Sequence, residues 1–172
     1  VEAITYGSLI DFTDDRTDPL KGIRFNYNYG DSPQQDPDSP DYYVQEFNLS
    51  GYMPIKKSSI ALNWYRAGAT VRKQGNTDLN SLIALETARC YANCDSATIN
   101  SRAKNQQALN RYGSAGGLGG PTRLRSFAQN RYSGPQVAFR GIEYRWNFSD
   151  KETPIEYYII SDTAINFQLA FF

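Results

Sequence analysis

The 172-residue chain has no histidine, and this absence excludes several kinds of chemistry at once. Without an imidazole there is no Ser-His-Asp or Cys-His catalysis and no histidine-ligated zinc site. The chain also has no excess of positive charge, because 18 basic residues balance 18 acidic ones. A chain without a bulk positive field is a poor match for a polyanion, so we expect no nucleic-acid partner. We likewise expect no cofactor, no metal and no enzymatic activity within these residues.

Cysteine is scarce, since only Cys90 and Cys94 occur, and they lie in a polar stretch. A metal site would need two further ligands, which could come only from carboxylates. The spacing favours a local disulfide, which would indicate an oxidising compartment, and two free thiols are the alternative.

Long apolar runs are absent as well, because no stretch reaches the roughly 18 residues that indicate a transmembrane helix. Acidic residues cluster in two loops, and calcium is one possible ligand for them. We interpret both clusters as solvated turns, because their proline-interrupted spacing matches no EF-hand loop. The clusters are Asp14, Asp15 and Asp18, and Asp36, Asp38 and Asp41.

What the chain has in abundance is aromatic side chains arranged with a period of two. Aromatic residues make up 14% of the sequence, and segments throughout the chain alternate large apolar with polar residues. This period is typical of β-strands with two different faces. The alternating sets are Ile23, Phe25, Tyr27 and Tyr29 against Arg24, Asn26 and Asn28; Tyr43, Gln45, Phe47 and Leu49 against Glu46, Asn48 and Ser50; Ile60, Leu62 and Trp64 against Ala61, Asn63 and Tyr65; Ile142, Tyr144, Trp146 and Phe148 against Glu143, Arg145 and Asn147; and Ile165, Phe167, Leu169 and Phe171 against Asn166, Gln168 and Ala170.

The predicted strands are long, and about six of them fit the pattern. They lie near 3–13, 22–30, 42–54, 59–72, 137–148 and 157–172. A tilted membrane strand needs about 9 to 11 residues with an apolar outer face and a polar inner face. The pattern therefore favours an all-β, antiparallel transmembrane β-barrel over the alternative, a soluble β-sandwich with one wet face that binds carbohydrate or protein.

The connections are unequal in length, which is a further property of outer-membrane barrels. Short polar turns alternate with longer loops, and the longest loop runs from about 73 to 136. Within it, Leu79–Tyr91 has apolar residues at helical spacing and is predicted to form a short packing helix capped by Asn76, Thr77 or Asp78. Because six strands cannot close a barrel in lipid, residues 1–172 are expected to be a portion of a longer barrel.

Two stretches resemble the BamA-type superfamily of outer-membrane assembly and translocation barrels. The first contains the turn motif Asp15, Arg16, Asp18, Pro19 and Gly22, followed by Tyr52, Pro54 and Ile55. The second contains Gly119, Gly120, Leu124, Arg125, Ser126 and Phe127, then Arg131, Tyr132 and Gly134, then Glu143, Tyr144 and Arg145. Ser126 stands where the family usually has glycine, so a left-handed backbone there would be costly.

The resemblance implies the C-terminal part of a barrel of about sixteen strands in the bacterial or organellar outer membrane. It also implies periplasmic domains that precede residues 1–172, and a long loop that folds inward into the lumen. The loop tip would be Arg125, Ser126 and Phe127, and its contact on the barrel wall would be Glu143. From the residues alone, Glu143 is a natural partner for Arg125, because a guanidinium in a lumen needs a carboxylate; the alternative is that Arg125 is a solvated loop residue.

The expected function is mechanical rather than catalytic. The resemblance implies a barrel that inserts or translocates other proteins at the outer membrane, with outer-membrane lipids, client β-barrel or secreted polypeptides, and accessory lipoproteins as its partners. An alternative is a barrel that serves as membrane anchor or pore for an attached lipase-like enzyme domain. A Gly-x-Ser-x-Gly nucleophile domain elsewhere in the protein would favour that alternative.

Overall fold

The computed structural model of the chain describes residues 4–56, 58–91, 94–120, 123–147, 155–157, 160–163 and 168–171. In chain order its elements are β1 (Thr5–Asp11), β2 (Gly22–Ser32), β3 (Asp41–Ile55), β4 (Ser58–Lys73), α1 (Leu79–Arg89), α2 (Ser96–Tyr112), β5 (Gln136–Asn147), β6 (Ile155–Tyr157), β7 (Ile160–Thr163) and β8 (Gln168–Phe171). Among the described residues no helix is long and apolar enough to cross a membrane.

Six strands form one open, mostly antiparallel sheet, in the order β1-β2-β3-β4-β5-β8. The prediction of an antiparallel sheet of about six strands is confirmed. β8 pairs with β5, with Tyr144 opposite Phe171 and Trp146 opposite Leu169. β1 and β8 are therefore the edges of an open sheet.

The prediction of one continuous strand near 157–172 is wrong. The structure has three short strands there, and β6 pairs with β7 in a separate two-stranded sheet that joins Ile155 to Thr163 and Tyr157 to Ile160. Because β6 and β7 are antiparallel to each other within residues 155–163, this stretch cannot be one continuous strand. The predicted outward residues Phe148, Ile165 and Phe167 lie outside the described residues, as does Asn166.

The long connection between β4 and β5 has the predicted limits but more structure than expected. β4 ends at Lys73 and β5 begins at Gln136. The predicted helix is confirmed as α1, and of the three candidate caps Asp78 is the one whose carboxylate accepts the N–H of Ser81. A second helix, α2, was not predicted; it begins after Asp95, which caps it by accepting the N–H of Thr98.

The residues group into two compact units, which we describe separately. The loop unit comprises the described residues of Val1–Ser8, Tyr27–Phe47 and Arg66–Ala138 and contains both helices. Its core is small and includes Ala67, Leu82, Ile99 and Ala103. Asn110 is also buried; its side-chain amide donates to the carbonyls of Asp38 and Asn76, which ties α2 to two loops.

The turn unit comprises the described residues of Leu9–Asn26, Asn48–Tyr65 and Phe139–Phe172 and contains the connection between β1 and β2. Its buried residues include Ala61 and Tyr65 on β4, Ser50 on β3 and Glu143 on β5. The buried set thus contains hydroxyl groups and a carboxylate, and it is more polar than the core of an ordinary soluble sheet.

Candidate functional site

Each long strand of the turn unit exposes its apolar side and covers its polar side. On β4, Leu62 is 48% exposed while Ala61 and Tyr65 are buried. On β5, Ile142 is 67% exposed while Glu143 is buried. Large apolar side chains of a water-soluble sheet pack inward, so this distribution is the reverse of what water alone would favour.

The exposed side of the turn unit, which we call the apolar face, carries residues from every long strand that contributes to this unit. Its large side chains with high exposure are Ile10, Phe12, Ile23, Leu49, Met53, Ile55, Leu62, Ile142, Tyr144, Trp146 and Phe171. A contiguous set of this size exceeds the scattered apolar residues that are normal on a soluble surface. Of the residues predicted to point outward, the exposed set includes Ile23 on β2, Leu49 on β3, Leu62 on β4, and Ile142, Tyr144 and Trp146 on β5.

The covered side of the turn unit holds a cluster of charged and aromatic residues around Arg145. Its Nε donates to Oε1 of Glu143 at 2.7 Å, and its Nη1 lies 3.5 Å from Oδ1 of Asp18. The guanidinium also lies over the ring of Tyr52, 5.5 Å from the centroid, which is within the range of a cation–π contact. A buried carboxylate needs such a partner, because an unpaired charge there would be costly.

The structure therefore brings together two of the sequence motifs within one unit. Asp18 belongs to the predicted turn motif, and Glu143 was predicted as the wall contact. Spacing indicated that Glu143 and Arg145 share a face, whereas nothing in the sequence placed Asp18 beside Arg145. The pairing of Arg125 with Glu143 stays a prediction.

The turn between β1 and β2 is organised by the carboxylate of Asp14. Its Oδ1 accepts the backbone N–H groups of Asp15, Leu20 and Lys21 at 3.0–3.1 Å. These hydrogen bonds, with that from Lys21 the strongest, hold the pKa of Asp14 below its usual value of 3.8, since they stabilise the charged form.

The predicted turn motif supplies the rest of this framework. The carboxylate of Asp15 accepts the N–H of Thr17, Pro19 is buried, and the carbonyl of Arg16 accepts a hydrogen bond from Arg24. Gly22 has a φ of 116°, and a Cβ there would collide with the carbonyl oxygen of Phe12. The glycine of the motif is thus required by the backbone itself.

The predicted loop tip is a tight turn in the loop unit. The N–H of Phe127 donates to the carbonyl of Leu124 at 2.9 Å, which places Arg125 and Ser126 at the two central positions. All three tip residues, Arg125, Ser126 and Phe127, are exposed. The ring of Phe127 contacts Tyr132 edge-on, with the centroids 5.4 Å apart.

The three glycines predicted to matter in this loop differ in how strongly the backbone requires them. Gly119 has a φ of 115°, and a Cβ there would collide with the carbonyl of Ala128; the φ of Gly120 is 96°. A Cβ at Gly134 would meet the carbonyl oxygen of Gln136 at 3.8 Å, an ordinary contact distance. Leu124, which precedes the tip, has a left-handed φ of 50°, whereas Ser126 carries no such strain.

Aromatic residues collect near the strand ends of the loop unit. The rings of Tyr6 and Tyr43 lie 6.3 and 5.5 Å from that of Tyr29. Arg72 lies beside them: it forms ion pairs with Asp31 at 2.7 Å and Asp41 at 3.2 Å, and its guanidinium is 5.1 Å from the ring of Tyr43. Tyrosines next to charged groups are typical of a membrane–water interface.

The predicted disulfide is confirmed. Cys90 and Cys94 are bonded in the connection between α1 and α2, with their Cα atoms 5.8 Å apart. The bond thus links the C-terminus of α1 to the residue before the N-cap of α2.

Metal-ligating residues do not gather in the part of the chain that the structure describes. No group of three or more His, Cys, Asp or Glu residues there is placed to hold a metal ion.

Comparison of the chain with models of known protein families, with curated proteins and with solved structures found no match.

Proposed function

We propose that this chain is part of the wall of a BamA-type outer-membrane β-barrel, which inserts or translocates other proteins without covalent catalysis. The observation that carries the proposal is the apolar face of the turn unit, where strands of up to 16 residues present large apolar side chains outward. Hydrocarbon is the environment in which such a face is stable.

The covered side supports the same proposal. A barrel of about sixteen strands has a polar lumen. The cluster of Glu143, Arg145 and Asp18 is the kind of paired charge that such a lumen accommodates. The tyrosines around Arg72 fit the interfacial end of the wall.

The soluble β-sandwich is disfavoured by the same side chains. In a sandwich the large apolar residues of one sheet pack against a second sheet and become buried. In the described chain Leu62 and Ile142 are about half to two-thirds exposed, at 48% and 67%.

The choice between an assembly barrel and an anchor for an enzyme domain rests on the resemblance. By that resemblance the turn motif and the long loop with Arg125 favour assembly. We therefore keep insertion or translocation of client polypeptides as the primary proposal.

The test is a reconstitution of the full-length protein in phospholipid vesicles. An unfolded outer-membrane protein is added, and its folding is followed by protease protection and by the heat-dependent shift of its gel mobility. We expect faster folding than in vesicles that hold an equal mass of an unrelated porin. Equal rates in the two preparations would rule out the insertion activity and leave the anchor as the function of the barrel.

A further inference from the structure

A groove crosses the apolar face of the turn unit. Its volume is about 580 Å³, and its walls include Ile23, Leu49, Leu62 and Ile142. The groove results partly from the absence of a side chain at Gly51, because residues 49, 51 and 53 of β3 share one side of the strand. A Cβ built at Gly51 meets no atom within 4 Å.

The lining of the groove also includes a charged residue. Arg140 lines it together with Trp64 and is exposed. Arg140 has no ion-pair or hydrogen-bond partner among the described residues. On a surface in contact with lipid an unpaired guanidinium is expensive, and its long stem lets it reach an anionic group at the interface.

We propose that this groove is a binding site for an anionic phospholipid, with one acyl chain between Leu49 and Leu62 and the phosphate on Arg140. The inference rests on the proposed membrane location and adds a lipid preference to it. The walls are complementary to a hydrocarbon chain, and the guanidinium is complementary to a phosphate.

The proposal is tested with the full-length protein in vesicles, in a variant whose only tryptophan is Trp64; within this chain that requires Trp146→Phe. Lipids with brominated acyl chains quench tryptophan fluorescence on contact. Brominated phosphatidylglycerol and brominated phosphatidylcholine are compared at equal mole fraction in a phosphatidylcholine background. We expect phosphatidylglycerol to be preferred about fivefold, the effect of one cation near an anionic headgroup.

Two variants separate the parts of the site. Arg140→Gln should abolish the headgroup preference and leave quenching by phosphatidylcholine in place. Gly51→Leu should lower quenching by both lipids, because it fills the groove without a collision at Cβ. Arg102→Gln, on an exposed position of α2, is the matched control and should keep the preference.

The outcomes distinguish this inference from the proposed function. Equal quenching by both lipids would overturn the anionic site, while Trp64 would still be shown to face lipid. Absence of quenching by either lipid would overturn the membrane location together with the site. An unchanged preference in Arg140→Gln would also refute the role of this residue.

Discussion

Gly22 is the residue whose backbone most restricts what can replace it. Its φ of 116° is one that L-residues rarely adopt, and a Cβ would collide with the backbone of Phe12. We expect Gly22→Ala to destabilise the protein by roughly 1–3 kcal/mol, the usual size of such backbone strain. Thermal unfolding in detergent measures the effect. Gly51→Ala is the control, because its Cβ has open space; equal losses in the two variants would contradict this account.

The carboxylate of Asp14 makes the stability of the turn unit depend on pH in the acid range. Its folded-state pKa is lowered, first by the N–H of Lys21, so its contribution to stability is present above the usual value of 3.8. That contribution is lost as pH falls through the lowered pKa. A carboxyl NMR titration, with the signal assigned through Asp14→Asn, should therefore show a midpoint below 3.8. A midpoint at or above this value would contradict the proposed hydrogen bonds.

Single residues were predictable where the chemistry is local. Spacing identified the bond between Cys90 and Cys94 and placed the cap of α1 among three residues, of which Asp78 is the one. The contact of Asp18 with Arg145 joins residues 127 positions apart, and no local pattern contains such information.

At the scale of elements, Asn110 links α2 to the loops before β3 and before α1. Its side chain donates to the carbonyls of Asp38 and Asn76 and accepts from Gln106, and the residue is buried. Asn110→Ala should cost about 1–3 kcal/mol of unfolding free energy, because the side chain's hydrogen bonds to the carbonyls of Asp38 and Asn76 are lost.

Chemical unfolding of the full-length protein in detergent measures this loss. The matched control is Asn105→Ala, an exposed asparagine on the same helix, which should change the free energy of unfolding little. Similar losses in the two variants would mean that the hydrogen bonds of Asn110 do not stabilise the fold.

The strands were more predictable than the helices, and the reason is their period. Alternation is strong in β2 to β5, since one side is apolar and the other polar. The sequence of α2 is polar almost throughout, with only Ile99, Ala103 and Asn110 buried, so it has no wide apolar stripe to detect. β6 and β7 precede β8 in the chain, and the pairing of β6 with β7 depends on a reversal that period alone does not indicate.

At the scale of the whole molecule, the brace between loop and wall is a separate prediction. If Arg125 pairs with Glu143, the variants Arg125→Ala and Glu143→Gln should be non-additive, with a coupling of roughly 1–3 kcal/mol in the free energy of unfolding. Glu143 also binds Arg145, so single variants alone cannot show the pair. Lys56→Ala, in a short turn, should be silent, and additive losses for Arg125 and Glu143 would refute the brace.

The orientation of the sheet could be predicted from the sequence, but its surroundings could not. Alternation showed that Leu62 and Asn63 face opposite ways, and the structure exposes Leu62 more than the alternate residues Ala61 and Tyr65. Barrel closure and the position of the loop depend on long-range contacts, for which the turn and loop motifs provide only a resemblance.

The central claim is that the apolar face contacts hydrocarbon, and a nitroxide scan of residues 60–65 on β4 tests it most directly. Each position carries a spin label in the full-length protein in a bilayer, and collisions with oxygen and with a water-soluble nickel complex are measured. The account predicts a period of two, with oxygen collisions dominant at positions 60, 62 and 64. Dominant collisions with the nickel complex at these positions would show that the face lies in water and would contradict the account.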